Sequence, residues 1–364
     1  MKYKRTDIVF DVYKSSSLKN ETRSKRGHGV RRRVTSNGKM PTNWRNFLRD
    51  NNNKTELFSF LAEQIAQIST PNVNIATKEE GAVCTHSISF SEITPCSHEE
   101  ADTRIFVHAR HAAKEGNRVI MIKANDTDVL VIAVTVFPTL QEFGVTQLWI
   151  AFGQGHHLRW IPVHNLYVSI GVEKTRGILF FHAFTGCDVV SAFRGKGKKT
   201  AWQTWDMCSA VSESFSRLSQ YPPTVDDDNL KLLEKFVIMM YDRSSTTECV
   251  DDARLDMFAR KQRPYEAIPP TQGALLQHVR RAAYQAGCIW SQSTVCQPEV
   301  PSPAEWGWRR NGEQWDIIWT ELSPIVESCQ QLTKCACKCE CSGRCKCYRL
   351  GLTCSGLCSC KCDE

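Results

Sequence analysis

The C-terminal part of the chain is unusually rich in cysteine, with 11 of the 18 cysteines falling between Cys329 and Cys362. The first residues contain no apolar run of signal-peptide length, so secretion is not expected and metal thiolates are favoured over disulfides. Closely spaced C-x-C pairs cannot all point the same way on one strand or helix, whereas a compact zinc cluster with bridging thiolates accommodates them. We therefore predict a zinc-binding module over residues 329–364. Its predicted ligands are Cys335, Cys337, Cys339, Cys341, Cys345, Cys347, Cys354, Cys358, Cys360 and Cys362.

The sequence leaves the number of zinc ions open. Eleven cysteines allow two separate four-thiolate sites with three cysteines left over, or three ions that share bridging sulfurs. The run from Cys345 to Cys360 is similar to the second half of the tesmin/TSO1-type CXC motif, which implies zinc binding and DNA contact. The upstream cysteines are packed more tightly than in that motif, and Tyr348 follows its C-x-C pair instead of preceding it. A metal store or a purely structural knot is the alternative.

Basic residues are concentrated at the beginning of the chain. Residues 1–50 contain 14 Lys or Arg and four Asp or Glu, whereas the whole chain of 364 residues carries a formal net charge of +7. This basic arm, which includes Lys25 and Arg26, favours a polyanion such as DNA, although a solvated tail or a nuclear-import signal has the same composition. No run of about 18 apolar residues occurs, so no membrane partner is expected. The arm residues predicted to contact nucleic acid are Arg31, Arg32 and Arg33.

Apolar runs and helical patterns alternate through the first 200 residues. Residues 118–124 have the character of a buried strand, and residues 97–117 have helical spacing with Ser97 as a cap and Gly116 as a stop. This alternation predicts an α/β fold built on a mostly parallel sheet with flanking helices.

Helical patterns dominate beyond Lys199, most clearly at 229–242 and 271–287. Residues 307–315 predict a hairpin that turns at Asn311-Gly312, and its tryptophans are expected to pack a small core rather than to stack on bases. The predicted regions are an α/β domain at 1–205 with a basic loop at 14–43, a helical region at 206–300, a hairpin linker at 301–328 and the cysteine-rich tail at 329–364.

Acidic residues border several of the apolar runs. Asp126 and Asp128 follow the strand predicted at 118–124, at the edge where α/β sheets place ligands. Carboxylates gathered in a small space cannot all ionise without a counter-charge, and Mg²⁺ or Mn²⁺ would supply one. The sequence therefore predicts a divalent-metal site. Its predicted members are Asp11, Glu100, Asp102, Asp126, Asp128 and Asp188.

Each of these acids also has an ordinary structural explanation when it is taken alone. Ser97 and Glu100 match the spacing of a capping box, which would assign Glu100 to the helix end. Asp126 and Asp128 have the character of turn or cap residues. The prediction of a metal site therefore depends on the joint placement of the six carboxylates.

Taken together, these segments resemble the flap-endonuclease/XPG branch of the PIN-like 5′ nucleases over roughly residues 7–205. In that family an E-x-[ED] pair opens a helix, a D-x-D follows the next strand, and a GxD leads into a helical hairpin. The corresponding triplets here are Glu100-Ala101-Asp102, Asp126-Thr127-Asp128 and Gly186-Cys187-Asp188. The resemblance implies a metal role for Asp11 as well, because "DIVFDV" is similar to the family's V-F-D-G strand. The family fold begins with a further strand and aspartate, whereas ten residues precede Asp11 in this sequence.

Residues 193–203 are similar to the glycine-rich hairpin that follows the last acid in that family. Glycines let the backbone approach a ligand closely, and free N–H groups at the next helix start would hold a DNA phosphate. A Walker A loop requires Gly-Lys-Ser/Thr, whereas this chain has Lys198-Lys199-Thr200, so nucleotide triphosphate binding is not predicted. A plain surface turn is the alternative. The predicted contacts are Gly195, Lys196, Gly197, Lys198 and Lys199.

The leading hypothesis is a nuclear, Mg²⁺-dependent nuclease that cuts branched or single-strand-containing DNA. In such a site two ions activate a water and stabilise the leaving oxygen of a phosphodiester. The alternative is a catalytically inactive nucleic-acid or chromatin-binding protein, derived from a nuclease and encoded by a mobile element. A protein-interaction module organised by zinc would explain the cysteines but not the acids.

Overall fold

The computed structural model describes most of the chain as an α/β fold. The residues described are 3–14, 17–19, 29–259, 263–312, 314–321, 335, 337, 345–349, 354, 358 and 360. The chain divides into two compact units, Met1–Trp319 and Thr320–Glu364. The division separates the cysteine-rich tail from the remainder of the chain, and the finer boundaries at 205 and 300 stay predictions.

The first sheet contains three strands: β1 (Arg5–Ile8), β2 (Val73–Lys78) and β3 (Gly81–Cys84). Strand β1 runs parallel to β2, with Arg5 opposite Val73. Strand β3 runs antiparallel to β2. The two strands are joined at Glu79-Glu80, and Glu79 has a φ of +51°. A link of this length permits only an antiparallel pairing.

The second sheet repeats this arrangement with β4 (Val119–Ala124), β5 (Gln147–Phe152) and β6 (Arg159–Pro162). Strands β4 and β5 are parallel, and β6 pairs antiparallel with β5. The sequence pattern predicted one mostly parallel sheet, whereas the described strands form two small mixed sheets. The reason is the short connection into β3 and into β6, because a parallel crossover requires about a dozen residues or more.

Helices pack against both sheets and supply most of the core. Buried aromatic side chains from successive helices, such as Phe106, Phe180, Phe215 and Phe236, belong to one apolar cluster. The helical region beyond residue 205 therefore packs in the same core as the α/β part. The helices are α1 (Trp44–Phe47), α2 (Asn51–Ala66), α3 (Ala101–Lys114), α4 (Thr127–Glu142), α5 (Val163–Ile170), α6 (Val172–Phe184), α7 (Lys198–Met207), α8 (Val211–Leu218), α9 (Asp227–Tyr241), α10 (Val250–Ala259), α11 (Gln272–Ala283), and α12 (Lys346–Arg349) in the tail.

Helix α3 begins later than its sequence pattern predicted. Glu100, not Ser97, occupies the N-cap position, and no side chain caps the helix there. The predicted capping box is therefore not formed, which leaves the Glu100 carboxylate available for other contacts. The C-terminal prediction is confirmed, because the helix ends at Lys114 and Gly116 has a φ of +82°.

The predicted hairpin is confirmed as β7 (Trp308–Asn311) and β8 (Gln314–Ile317), which pair antiparallel. Gly312 has a φ of +60°, the left-handed conformation that favours glycine in such turns. Trp308 is buried against Tyr284, as expected for a core tryptophan. Trp319 lies beyond the hairpin and is 60% exposed.

Candidate active site

A buried polar network holds β1 against α3. The Asp7 carboxylate accepts two hydrogen bonds from the Arg5 guanidinium, each of 2.7 Å, and a third contact of 2.7 Å links it to His108 Nδ1. Arg5 also lies 2.7 Å from Nδ1 of His111. Burial alone would raise the pKa of Asp7, but the hydrogen bonds and charges of Arg5 and His108 hold it below its usual value. This network fixes the chain that leads from β1 to the next acid.

Asp11 lies at the N-terminal end of α3. Its Oδ1 accepts a hydrogen bond of 2.9 Å from the Ala101 N–H, and the Val12 N–H donates to the Glu99 carbonyl at 2.7 Å. A cavity of about 510 Å³ opens beside Asp11 and is also lined by Phe58 of α2. Asp11 is therefore a neighbour of the acidic pair at the start of α3, which lies about ninety residues further along the sequence.

Lys19 supplies the positive charge among these acids. Its ammonium forms an ion pair with the Glu100 carboxylate. Burial would lower the pKa of Lys19, but the charges of Glu100, Asp102 and Asp188 raise it above its usual value. Burial raises the pKa of Glu100, as do the charges of its acidic neighbours, although Lys19 opposes the effect. The Gly186-Cys187-Asp188 segment therefore reaches the same region as the start of α3.

The pKa of Asp102 is strongly perturbed. Burial raises its pKa to about 7, and the charges of Glu100 and Asp126 act in the same direction. Asp126 is the N-cap of α4, where its Oδ1 accepts a hydrogen bond of 2.9 Å from the Asp128 N–H. Five of the six predicted acids are thus linked by their charges: Glu100, Asp102 and Asp188 act on Lys19, whereas Asp11 and Asp126 act on Glu100 or Asp102.

Asp128 is held differently from the other five. It is 8% exposed, and its Oδ1 lies 2.8 Å from Nε2 of His182 on α6. Phe180 and Phe184 flank this histidine along the same apolar helix. Asp128 therefore ties α4 to α6.

The group consists of carboxylates, the ligand type that a hard divalent cation takes, but their spacing does not form a compact ligand set among the described residues. Three carboxylates act on the Lys19 ammonium and two more act on their acidic neighbours, so the described part of the region carries an excess of negative charge. Within the described part of the chain, sets of three or more potential ligand atoms lying within 4.8 Å of one another consist of cysteines.

The loop around Asp188 is shaped by two glycines. Gly186 has a φ of +109°, and a Cβ there would lie 2.7 Å from the Cβ of Ala192. Gly195 has a φ of +70°, and a Cβ on it would meet no atom within 4 Å, which leaves that side of the loop open to a ligand. Burial raises the pKa of Cys187 to about 12, consistent with an apolar filler rather than a nucleophile.

The lysines of this loop have different surroundings. The Lys198 ammonium donates to the carbonyls of His182 and Gly186 at 2.7 Å, and burial lowers its pKa to about 8. It therefore anchors the start of α7 to the end of α6. Gly197 is the N-cap of α7, and Lys199 lies exposed in the first turn of that helix. The first backbone N–H groups of α7 therefore lie next to Gly197 and Lys199.

The basic arm is described in part. Arg31 forms an ion pair with Glu56 of α2 and donates to Asn53 at 2.9 Å, while Arg32 donates to the Lys39 carbonyl at 2.8 Å. Arg31, Arg32 and Arg33 are all exposed, so they line the surface beside α2. Lys25 and Arg26 lie outside the described residues.

The cysteine tail gathers six thiols, consistent with zinc binding. One group of four contains Cys335, Cys345, Cys347 and Cys354, and a second contains Cys335, Cys354, Cys358 and Cys360. Cys335 Sγ lies 3.3 Å from Cys360 Sγ. Cys337 is described but belongs to neither group. The predicted ligands Cys339, Cys341 and Cys362 lie outside the described residues.

No family model, curated protein or solved structure matches this chain. Among the residues that the structure describes, no helix combines the length and hydrophobicity needed to cross a membrane. Two site residues, Lys19 and His182, were not predicted from the sequence. Lys19 is one of 14 basic residues in its region and carries no distinguishing signal. His182 did offer one, because a histidine inside an apolar helix requires a polar partner.

Proposed function

We propose that this protein is a metal-dependent nuclease with a PIN-like, flap-endonuclease type of fold that hydrolyses phosphodiester bonds in DNA in the nucleus. The observation that carries the proposal is the group of five mutually interacting carboxylates beside Lys19, in which the pKa of Asp102 is raised to about 7. Buried carboxylates that repel one another are costly to hold together without function, and perturbed acids of this kind cluster at catalytic sites.

Asp11, Glu100, Asp102, Asp126 and Asp188 would hold Mg²⁺ or Mn²⁺. The ion would supply an activated water and stabilise the charge that develops on the phosphodiester oxygens. Asp128 would act through its contact with His182, by fixing the start of α4 and therefore the direction of Asp126.

The surrounding elements provide contacts for the DNA backbone. The open backbone at Gly195 and Gly197, the first turn of α7 and exposed Lys199 suit a phosphate. Lys196 would add to the positive field of the loop, whereas Lys198 would stabilise the loop itself. Arg31–Arg33 would guide a flap or single strand, and the zinc-binding tail would add a further contact.

A specific observation also favours a second candidate, a nucleic-acid-binding protein that does not hydrolyse its ligand. Lys19 already neutralises part of the acidic group through its ion pair with Glu100. A lysine in this position substitutes for part of the charge of a metal ion and would weaken metal binding. In that protein the acidic group would be structural, while the basic loop and arm would remain functional.

The two candidates differ in metal-dependent cleavage. We expect the wild-type protein to cut a labelled, branched DNA with a 5′ flap when Mg²⁺ is present. The double variant Asp102→Asn/Asp126→Asn should lose about 100-fold or more of the rate, because it removes two charges from the proposed metal site. Cleavage would be followed by gel electrophoresis under single-turnover conditions.

The matched control is Asp227→Asn/Asp228→Asn, which changes two exposed acids in the first turn of α9. This control should cleave at the wild-type rate. Equal cleavage by the wild type and the Asp102/Asp126 variant would reject the assigned site. An absence of cleavage by the wild type, with retained DNA binding, would favour the second candidate.

A further inference from the structure

A second cavity lies in the helical part of the first unit, away from the residues of the acidic group. Its volume is about 310 Å³, and its walls come from the loop at 191–194, from α9 to α11, and from Trp319. Three arginines and one glutamate line it: Arg194, Arg254, Arg281 and Glu266. The lining therefore has an excess of positive charge, which suits an anionic ligand.

Arg281 is the strongest indication that the ligand is an anion. Its side chain is buried, and its Nη1 donates to the carbonyls of Gly307 and Ile318 at 3.2 and 2.6 Å. Its Nε is also buried and has no hydrogen-bond partner among the described residues. Burial lowers the pKa of Arg281 to about 10. Among the described residues, the hydrogen bonds of this buried guanidinium go to carbonyls, which leaves its charge without an ionic partner there. An anion in the cavity would offset the cost of burying that charge.

Aromatic surface lies beside these charges. Trp319 is 60% exposed, and the Arg281 guanidinium carbon lies 5.6 Å from its ring centroid. Phe193 and Tyr241 complete the aromatic part of the lining. An arginine beside an exposed indole is the combination that proteins use to hold the phosphate and the base of a single strand.

The cavity is continuous with the loop that follows the acidic group. Tyr241 donates to the Arg194 carbonyl at 3.3 Å, and the Lys196 ammonium lies 5.0 Å from the Tyr241 ring centroid. Burial and the neighbouring charges of Arg243 and Arg263 lower the pKa of Lys196, although Asp242 opposes them. The loop from Asp188 to Lys199 therefore links the acids to a region of concentrated positive charge.

We propose that this cavity binds one nucleotide of a single-stranded nucleic acid, with the phosphate among the arginines and the base against Trp319. A volume of about 310 Å³ is near the lower limit for ligand pockets and suits one nucleotide rather than a duplex. The choice of a nucleic acid as the ligand rests on the proposed function. The inference places the unpaired strand of that nucleic acid in the helical region.

The test measures binding without cleavage. Full-length protein would be titrated into a fluorescein-labelled oligothymidylate of about 12 nucleotides, in buffer without Mg²⁺, with anisotropy as the readout. We expect Arg194→Ala/Trp319→Ala to bind about tenfold more weakly than the wild type, because it removes a stacking surface and a phosphate contact. The slope of log affinity against log salt should decrease in magnitude by about 0.7.

The chain offers a matched control on β6, where Arg159 and Trp160 are adjacent and exposed, the tryptophan to 52%. Arg159→Ala/Trp160→Ala should bind like the wild type. Thermal midpoints of both variants would show that each is folded. The proposal is overturned if the Arg194/Trp319 variant binds as tightly as the wild type, if the control loses as much affinity, or if the wild type does not bind the oligonucleotide.

Competition by thymidine monophosphate and by inorganic phosphate shows whether the ligand of the cavity is a strand or a free nucleotide. Both should compete weakly, because each lacks the neighbouring phosphates of a strand. If Arg194→Ala/Trp319→Ala loses thymidine monophosphate binding but keeps its affinity for the oligonucleotide, the cavity serves free nucleotides and the proposal is wrong. Cleavage is not measured here, so failure of the nuclease proposal would leave this result intact.

Discussion

The raised pKa of Asp102 makes the repulsion within the acidic group measurable as a pH-dependent change in stability. Its pKa rises from 3.8 to about 7 on folding because of burial and the charges of Glu100 and Asp126. The folded protein then binds more protons than the unfolded chain between about pH 4 and 7, so this residue lowers stability as pH rises through that range. The full effect would be about 4 kcal/mol, and partial solvent exposure reduces it. We expect Asp102→Asn to raise the free energy of unfolding by about 2 kcal/mol at pH 8, measured by urea denaturation.

The pH dependence separates this charge effect from a change in packing. The gain from Asp102→Asn should disappear below about pH 4, where the carboxyl group is protonated in both states. Asp228→Asn is the control, because Asp228 also lies in the first turn of a helix but is exposed. It should change stability by less than about 0.5 kcal/mol at either pH. An equal gain from Asp102→Asn at pH 4 and pH 8 would contradict the predicted electrostatic origin.

The sequence predicted the acids of the group but not the residue whose positive charge partly neutralises them. Asp11, Glu100 and Asp126 were predicted because each borders an apolar run. The ends of buried strands in an α/β sheet meet at one edge, where ligands bind. Lys19 lies in a polar segment without periodicity, so nothing in the sequence indicated that it would pair with Glu100. Its position depends on long-range packing, which local pattern does not encode.

Helix α6 illustrates how closely neighbouring elements approach. A Cβ on Gly177 would lie 2.7 Å from the Cβ of Phe215 on α8 and 3.3 Å from Trp205 on α7. Alanine is the better helix former by about 1 kcal/mol, but overpacking of this kind costs about 1–3 kcal/mol. We expect Gly177→Ala to lower the free energy of unfolding by about 1 kcal/mol, measured by urea denaturation.

The control for this prediction is Gly81→Ala in β3. A Cβ on Gly81 would make only an ordinary contact of 3.4 Å with the Lys78 carbonyl. It should therefore leave stability within about 0.5 kcal/mol of the wild type. If Gly177→Ala were instead as stable as this control or more so, α6 and α8 would have room to separate, and their close packing would not limit stability.

The helices with the clearest periodicity were predictable at the level of the element, whereas the pairing of the strands was not. The apolar periodicity of 229–242 and 271–287 corresponds to α9 and α11, because a helix is stabilised by residues close in sequence. The pairing of β1 with β2 joins residues that are 68 positions apart, Arg5 and Val73. Local pattern indicates that such strands exist but not which partners or directions they adopt.

At the scale of the whole molecule, each of the two compact units can be followed by its own measurement. All ten tryptophans precede residue 320, whereas the thiols of the metal-ligand groups begin at Cys335. Near-UV circular dichroism of the tryptophans therefore reports on the first unit alone. Zinc content, measured by native mass spectrometry, reports on the second.

Cys335 and Cys354 belong to both groups of four thiols in the tail, whereas Cys360 belongs to one. Cys335→Ser should therefore lose more zinc than Cys360→Ser, because it removes a ligand from both groups at once. Both variants should keep the tryptophan spectrum of the wild type, since closed thiolate sites stabilise only the unit that contains them. Cys249→Ser, in the first unit, is the control and should keep its full zinc content. Wild-type zinc content in Cys335→Ser would show that the tail does not bind metal through these groups.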